Sequence, residues 1–168
     1  MRRIIRAFAP LLLLPALSSC SHIYDLLAVA IDGEVAFVVA PSSDYQPDCV
    51  FAIDVQADDD GPPASPASGD DRGLVENGNV YWWDYSDVRS CQTSFPIVYG
   101  QPLLGPKAKD IDYVSAKPLK TGVVYKVGAS GDGAHGLGWF EILPHGKIKN
   151  YRMDSEGYIV ERQSVTSS

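Results

Sequence analysis

Short apolar runs separated by turn residues are the feature that most constrains the fold of this chain. Beyond residue 20 these runs lack the 3.6-residue period that a long amphipathic helix would show. Asp32-Gly33 and Asn77-Gly78 suit a two-residue hairpin of type I′, in which both central residues take positive φ. Such a pattern is typical of an antiparallel all-β domain. We therefore predict strands at residues 26–31, 34–40, 49–55, 72–76, 79–85, 95–100, 112–116, 122–129, 137–143, 148–152 and 158–162.

Residues 26–162 are predicted to be a single domain of eight or more strands around one hydrophobic core. The favoured fold class is all-β, an antiparallel β-sandwich, with a small β-barrel as the alternative. Residues 57–72 carry five aspartates among prolines and glycines, which is typical of a flexible acidic surface loop. Calcium binding there is the less favoured alternative, because the acidic residues are adjacent rather than alternating. The tail at 163–168 is predicted to be disordered.

The N-terminus has the composition of an export signal. Arg2, Arg3 and Arg6 precede an apolar stretch at residues 7–17, which two prolines interrupt. A membrane-spanning helix needs about 20 apolar residues, so this stretch is too short to be one. Residues 1–19 are therefore predicted to be a cleaved signal peptide.

Residues 17–20, Leu-Ser-Ser-Cys, resemble the lipobox of bacterial lipoproteins. In that family the cysteine thiol receives a diacylglyceryl group, the signal is cut before it, and the new amine is acylated. The resemblance implies that Cys20 is lipidated, that the lipid bilayer is a partner and that residues 20–25 form a short tether. An aspartate after the cysteine would favour the inner membrane. Ser21 therefore implies the cell envelope, at the periplasmic side of the outer membrane.

The three cysteines divide once Cys20 is taken as the lipidated one. Cys49 and Cys91 then remain as an even pair in an oxidising compartment, which predicts a disulfide bond. The chain-entropy model gives the loop that they would close a stabilisation of about 4 kcal/mol. A redox or metal-binding pair is the less favoured alternative, because no C-x-x-C spacing is present.

The acidic balance of the chain bears on its partners. Its formal net charge is −7, and three of its 14 basic residues but none of its 21 acidic ones lie in the predicted signal. A nucleic-acid-binding surface needs a basic footprint, so the composition argues against nucleic acid as a partner. Solubility is the simpler explanation of the acidity.

Leu119, Tyr125 and Val127 stand at the offsets of a tyrosine corner, so residues 119–129 resemble that region of fibronectin type III and related immunoglobulin-like sandwiches. In that family the tyrosine hydroxyl bonds to upstream backbone and fixes the corner before a strand. The resemblance implies an immunoglobulin-like sandwich in which Tyr125 has this structural role. Residues 130–136 would then be the loop to the next strand. A fold of this kind implies no particular activity.

The aromatic strand at residues 80–85 is the best candidate for a binding surface. Alternation places Tyr81, Trp83 and Tyr85 on one face, while the opposite face also carries a tryptophan. A half-buried strand needs only one apolar face. The pattern therefore predicts either burial on both sides or an exposed aromatic ladder that stacks on sugars or docks a protein. Alternation along the strand at residues 137–143 places Trp139 on the face opposite to Phe140 and Ile142, where it would extend this surface.

Catalytic and metal-binding patterns are weak by comparison. Ser130 is one residue out of register for the nucleophile elbow G-x-S-x-G. His22, His135 and His145 lack the spacing of metal ligands. We therefore predict no cofactor, no metal site and no enzyme activity. A hydrolase whose site is assembled from distant residues is the least favoured alternative.

Anchor, fold and chemistry together predict a non-enzymatic, membrane-anchored periplasmic lipoprotein with a binding or structural role in the cell envelope. Its partner would be a membrane-proximal protein, because a tether of a few residues spans only about 3.4 Å per residue. The alternative is a glycan-binding module for peptidoglycan or another polysaccharide, which would bind through the aromatic strand.

Overall fold

A computed structural model describes residues 22–58, 79–107, 113–155 and 159–162, and nearly all of its regular structure is β. The predicted all-β class is confirmed. Two short 3₁₀ segments, Val88–Ser90 and Pro144–Gly146, are the only helical elements of the described part. The strands are β1 (His22–Ile31), β2 (Glu34–Val39), β3 (Ala52–Ala57), β4 (Val80–Tyr85), β5 (Ile97–Val98), β6 (Val124–Gly131), β7 (Ala134–Ile142), β8 (Ile148–Met153) and β9 (Ile159–Glu161).

Several predictions concern residues outside the described ones. They are the signal peptide at 1–19, lipidation of Cys20, most of the acidic loop at 57–72, the Asn77-Gly78 turn with its strand at 72–76, and the tail at 163–168. All of them therefore stay predictions.

The strands form one sheet in the order β4-β3-β6-β7-β1-β2-β5, with β8 beside the second half of β7 and β9 beside β8. Strand β1 pairs with β7 through residues 22–25 and then turns to pair with β2 through residues 26–31. The sheet curls into a half-barrel, intermediate between a sandwich and the barrel alternative. Among the described pairings β1–β7 is parallel, which departs from the purely antiparallel arrangement that was predicted.

Strand ends differ from the prediction at several places. β1 begins at His22, before the predicted domain start at residue 26, so residues 22–25 of the predicted tether belong to the sheet. The predicted strands at 95–100 and 112–116 shrink to β5 and to an isolated bridge at Val114. The first of these differences matters most, because it leaves only residue 21 between Cys20 and the first strand.

Asp-Gly turns form two of the hairpins. In the β1–β2 turn φ is 51° at Asp32 and 85° at Gly33, the left-handed pair that type I′ requires, as predicted. The β6–β7 turn repeats this geometry, with φ 48° at Asp132 and 71° at Gly133. The predicted loop at 130–136 was wrong, because β6 and β7 continue up to these two central residues. The other glycines of that stretch lie within the strands.

The core lies on the concave side of the curled sheet and is rich in aromatic rings. Phe37 of β2 packs edge-to-face on Phe140 of β7, with 5.5 Å between ring centroids. Tyr125 of β6 also stacks on Phe140, with 5.4 Å between ring centroids. Gly136 provides the room for Tyr24, since a Cβ at Gly136 would lie 2.2 Å from the tyrosine ring. The rings thus join β1, β2, β6 and β7 into one core.

Tyr99, which follows β5, links the two ends of the strand order. Its ring packs edge-to-face on Trp82 of β4, with 5.4 Å between centroids. Its hydroxyl donates a hydrogen bond of 2.8 Å to the carbonyl oxygen of Lys117. Burial raises the pKa of Tyr99, so the hydroxyl keeps the proton that this bond needs. Contacts of one side chain therefore join β5 to β4 across the core.

Tyr125 makes the upstream contact that the fibronectin-like resemblance implies. Its buried hydroxyl accepts a hydrogen bond of 2.7 Å from the backbone N–H of Lys120. Desolvation is the main cause that raises the pKa of Tyr125 to about 12. The phenol is therefore neutral at physiological pH, and the bond fixes the chain where it enters β6.

Cys49 and Cys91 form a disulfide bond, as predicted, with Cα atoms 5.5 Å apart. The neighbouring Val50 and Thr93 lie in an isolated antiparallel bridge. Gly131 at the end of β6 lies directly against this segment, since a Cβ at Gly131 would be 1.9 Å from the Cys49 carbonyl oxygen. The disulfide and its neighbours therefore pack the start of β3, the segment after β4 and the end of β6 into one unit.

Candidate functional site

Strand β4 carries three of the predicted binding residues, but they do not share one face. The β3–β4 register skips Tyr81 between Trp82 and Val80, so Tyr81 is the extra residue of a β-bulge. A bulge re-aims the side chain at its position. The Tyr81 ring packs edge-to-face on the core residue Tyr125, with 4.9 Å between centroids. Tyr81 therefore packs against the core instead of extending the predicted ladder.

Trp83 and Tyr85 remain on the outer face of the sheet, and both are half-buried. Trp83 lies opposite Asp54 of β3, and on its other side its backbone N–H and C=O bond to Val114. Tyr85 packs edge-to-face on Phe51, with 5.6 Å between centroids. These contacts hold both residues in place while part of each side chain stays accessible.

Trp139 shares the outer face with Trp83 but does not extend the accessible surface. The register across β3, β6 and β7 places Leu137 in line with Trp83, and Trp139 lies two residues further along β7. Three strand spacings, roughly 14 Å, separate the two strands. Trp139 is also 5% exposed. The predicted surface is thereby reduced to Trp83 and Tyr85.

Polar side chains of β3 and β6 lie on the same outer face as Trp83. The Gln56 amide Nε2 donates a hydrogen bond of 3.0 Å to the Asp54 carboxylate, and Lys126 of β6 attracts the same carboxylate. Gly128 lies opposite Asp54 and leaves the space that the carboxylate occupies, since a Cβ there would be 2.6 Å from Oδ1. We name this group the outer-face site. Its members are Asp54, Gln56, Trp83, Tyr85 and Lys126.

The electrostatics of the outer-face site centre on Asp54. Desolvation raises the pKa of its carboxyl, against the opposing effects of Gln56 and Lys126. Ionisation of Asp54 therefore costs folding free energy. The contribution of this carboxyl to folding stability is complete below the ordinary aspartate pKa, and it is lost as pH rises through the raised pKa. A carboxyl kept on an accessible face at such a cost is typical of binding and catalytic sites. Asp54 was not predicted as a site residue, and its only signal in the sequence is an aspartate within an alternating apolar run.

Ser130 and His135 form a second polar group on the outer face, across the β6–β7 pair. The Ser130 hydroxyl lies 3.0 Å from Nδ1 of His135. A hydroxyl beside an imidazole is the first contact of a nucleophile–base arrangement, in which a third group orients the base. Among the described side chains, no carboxylate bonds to His135. Within the described ranges the pair therefore has the hydroxyl–imidazole contact of a nucleophile–base arrangement without a carboxylate that orients the base.

Neither metal ligands nor similar proteins identify the outer-face site. Within the described ranges, no three histidine, cysteine, aspartate or glutamate side chains converge as metal ligands do. No helix in those ranges has the length and apolar character needed to cross a membrane. No family model, curated protein or solved structure matches the chain.

Proposed function

We propose that this chain is a lipid-anchored, non-enzymatic protein of the bacterial cell envelope that acts by binding a partner close to the membrane. The observation that carries the proposal is the lipobox-like run at residues 17–20 behind an export signal. The Cys49–Cys91 disulfide supports it, since such bonds persist in oxidising compartments outside the cytosol.

The start of β1 at His22 sharpens the membrane-proximal part of the proposal. Two residues after Cys20 span at most about 7 Å, and the chain then enters the sheet. The His22 ring stacks on Tyr45 with 4.5 Å between centroids, and the Tyr45 hydroxyl bonds to the Asp132 carboxylate at 3.0 Å. These contacts fix the N-terminal end of β1 to the β6–β7 turn. An anchor at Cys20 would therefore hold this end of the domain against the bilayer.

Cys20→Ser is expected to abolish incorporation of labelled palmitate and to release the protein from the outer-membrane fraction, because the thiol is the acceptor of the lipid. Metabolic labelling followed by density fractionation of the envelope measures both effects. The variant with serine at both Cys49 and Cys91 is the matched control and should keep the label. Absence of label from the unaltered chain would refute the lipoprotein assignment.

A glycan is the second candidate, favoured specifically by the outer-face site. Partly accessible aromatic rings at Trp83 and Tyr85 lie beside the hydrogen-bonding groups of Asp54 and Gln56. Sugars present apolar ring faces and polar hydroxyls, so an aromatic surface beside carboxylate and amide groups suits them. The partner would then be peptidoglycan or another polysaccharide of the envelope.

Trp83→Ala is expected to lower retention of the anchored protein on purified sacculi about tenfold, which corresponds to about 1.4 kcal/mol for the loss of one stacking ring. Pull-down against sacculi, quantified by immunoblot, measures the loss. Leu104→Ala removes another exposed apolar side chain and should leave retention unchanged. If the chain is not retained on sacculi but a protein co-purifies with it from membranes, the protein partner is favoured instead.

A further inference from the structure

A groove separate from the outer-face site opens between β1 and the β8–β9 hairpin. Its volume is about 890 Å³, within the range of about 300–1,000 Å³ that small-molecule sites have. Its lining is mostly apolar. The apolar residues are Leu27 of β1, Ala40 and Pro41 after β2, Leu143 after β7, and Ile148 of β8.

The walls of this groove are joined by side-chain hydrogen bonds. The Asn150 amide of β8 donates to the Ala28 carbonyl and accepts from the Ala28 N–H, both at 2.8 Å. This pair replaces the backbone pairing that β1 and β8 do not make with each other. The Arg162 N–H donates to the Asn150 carbonyl at 3.0 Å, which ties the end of β9 to the same point. The groove is therefore preformed, and binding of a ligand requires no free energy to open it.

The rim of the groove is basic on a chain that is acidic overall. Lys147, Lys149 and Arg162 line it with a single carboxylate, that of Glu161, whereas the chain has a net charge of −7. Glu161 pairs with Lys149 at 2.9 Å, and Arg162 pairs with Asp25 of β1. Lys147 is exposed and forms no ion pair with the described residues. A lysine with no ion pair among the described residues thus lines a largely apolar groove.

We propose that this groove binds a single-chain anionic amphiphile, a fatty acid, with its hydrocarbon chain along the apolar lining and its carboxylate at Lys147. The apolar lining supplies the burial that a hydrocarbon chain seeks. The unpaired lysine supplies charge complementarity, which gives specificity for an anion. The inference does not depend on lipidation of Cys20, because none of the groove residues belongs to the anchor.

Photo-crosslinking of the purified full chain, free of membranes, tests the proposal independently of the anchor. The probe is palmitate that carries a diazirine in its chain, and the adducts are mapped by mass spectrometry. We expect adducts in residues 40–41 and 143–148, with unlabelled palmitate as an effective competitor. Hexadecyltrimethylammonium, which has the same chain and the opposite charge, should not compete.

Lys147→Glu is expected to lower the adduct yield about fivefold at sub-saturating probe, because this position then repels the carboxylate of the probe instead of attracting it. Arg89→Glu makes the same charge change in the exposed turn after β4 and should leave the yield unchanged. Equal yields for the two variants would overturn the proposal. Adducts at exposed apolar residues such as Ile23 instead of in the groove would overturn it as well.

Discussion

Replacing Cys49 and Cys91 together by serine is expected to lower the free energy of unfolding by about 4 kcal/mol. The disulfide joins residues 42 positions apart, and opening it returns the entropy of that loop to the unfolded chain. Such a loss is a large part of the 5–15 kcal/mol that stabilises a typical domain. Urea unfolding followed by tryptophan fluorescence measures it, since Trp82 and Trp139 are buried and report on the fold.

The reduced form of the unaltered chain is the matched control for this variant. Its unfolding free energy should equal that of the double serine variant, because both lack the same covalent bond. A loss below about 1 kcal/mol would mean that the loop is already restricted in the unfolded chain, in conflict with the chain-entropy account.

Gly131→Ala is expected to lower the free energy of unfolding by about 3 kcal/mol. The new Cβ would lie 1.9 Å from the Cys49 carbonyl oxygen and 2.8 Å from the Val50 Cα. Both are backbone atoms that belong to the disulfide segment, so β3 and β6 would have to move apart. Urea unfolding measures the loss, and a change below about 1 kcal/mol would show that the segment yields easily.

Gly128→Ala provides the comparison on the same strand. Its Cβ would meet the end of the flexible Asp54 side chain, 2.6 Å from Oδ1, and not a backbone atom. The carboxylate can move aside, so we expect the loss of stability to stay below about 1 kcal/mol. The same substitution should weaken sacculus binding if Asp54 contacts a glycan. Stability and binding would then respond to different glycines of one strand.

Local chemistry accounts for the parts of the fold that the sequence predicted well. The Asp32-Gly33 turn was predictable because only a few residue types accept two successive positive φ angles. The Cys49–Cys91 bond followed from the count of cysteines left after Cys20. Asp132-Gly133 is the same turn signal, but the glycines around it led to the prediction of a longer loop at residues 130–136. Those glycines are required by close approach of neighbouring strands, which local composition does not reveal.

The outer-face site was predictable only in part, for the same reason. Trp83 and Tyr85 were placed correctly on one face by alternation, whereas the bulge that turns Tyr81 toward Tyr125 depends on pairing with β3. The role of Asp54 depends on the pairing of β3 with β6, because Gly128 opposite it leaves the space that its carboxylate occupies. Pairing between distant segments thus decided which aromatic and acidic side chains share the site.

The sequence by itself determined the all-β class, the β1–β2 turn and the pairing of Cys49 with Cys91. Each depends on residue type, on short spacing or on the number of cysteines. The tertiary structure decided the parallel β1–β7 pairing, the curl of the sheet, the bulge at Tyr81 and the groove between β1 and the β8–β9 hairpin. These depend on contacts between residues far apart in the chain, since Asn150 and Ala28 meet across 122 positions. These interactions form only when folding brings distant segments together, so no local pattern in the sequence predicts them.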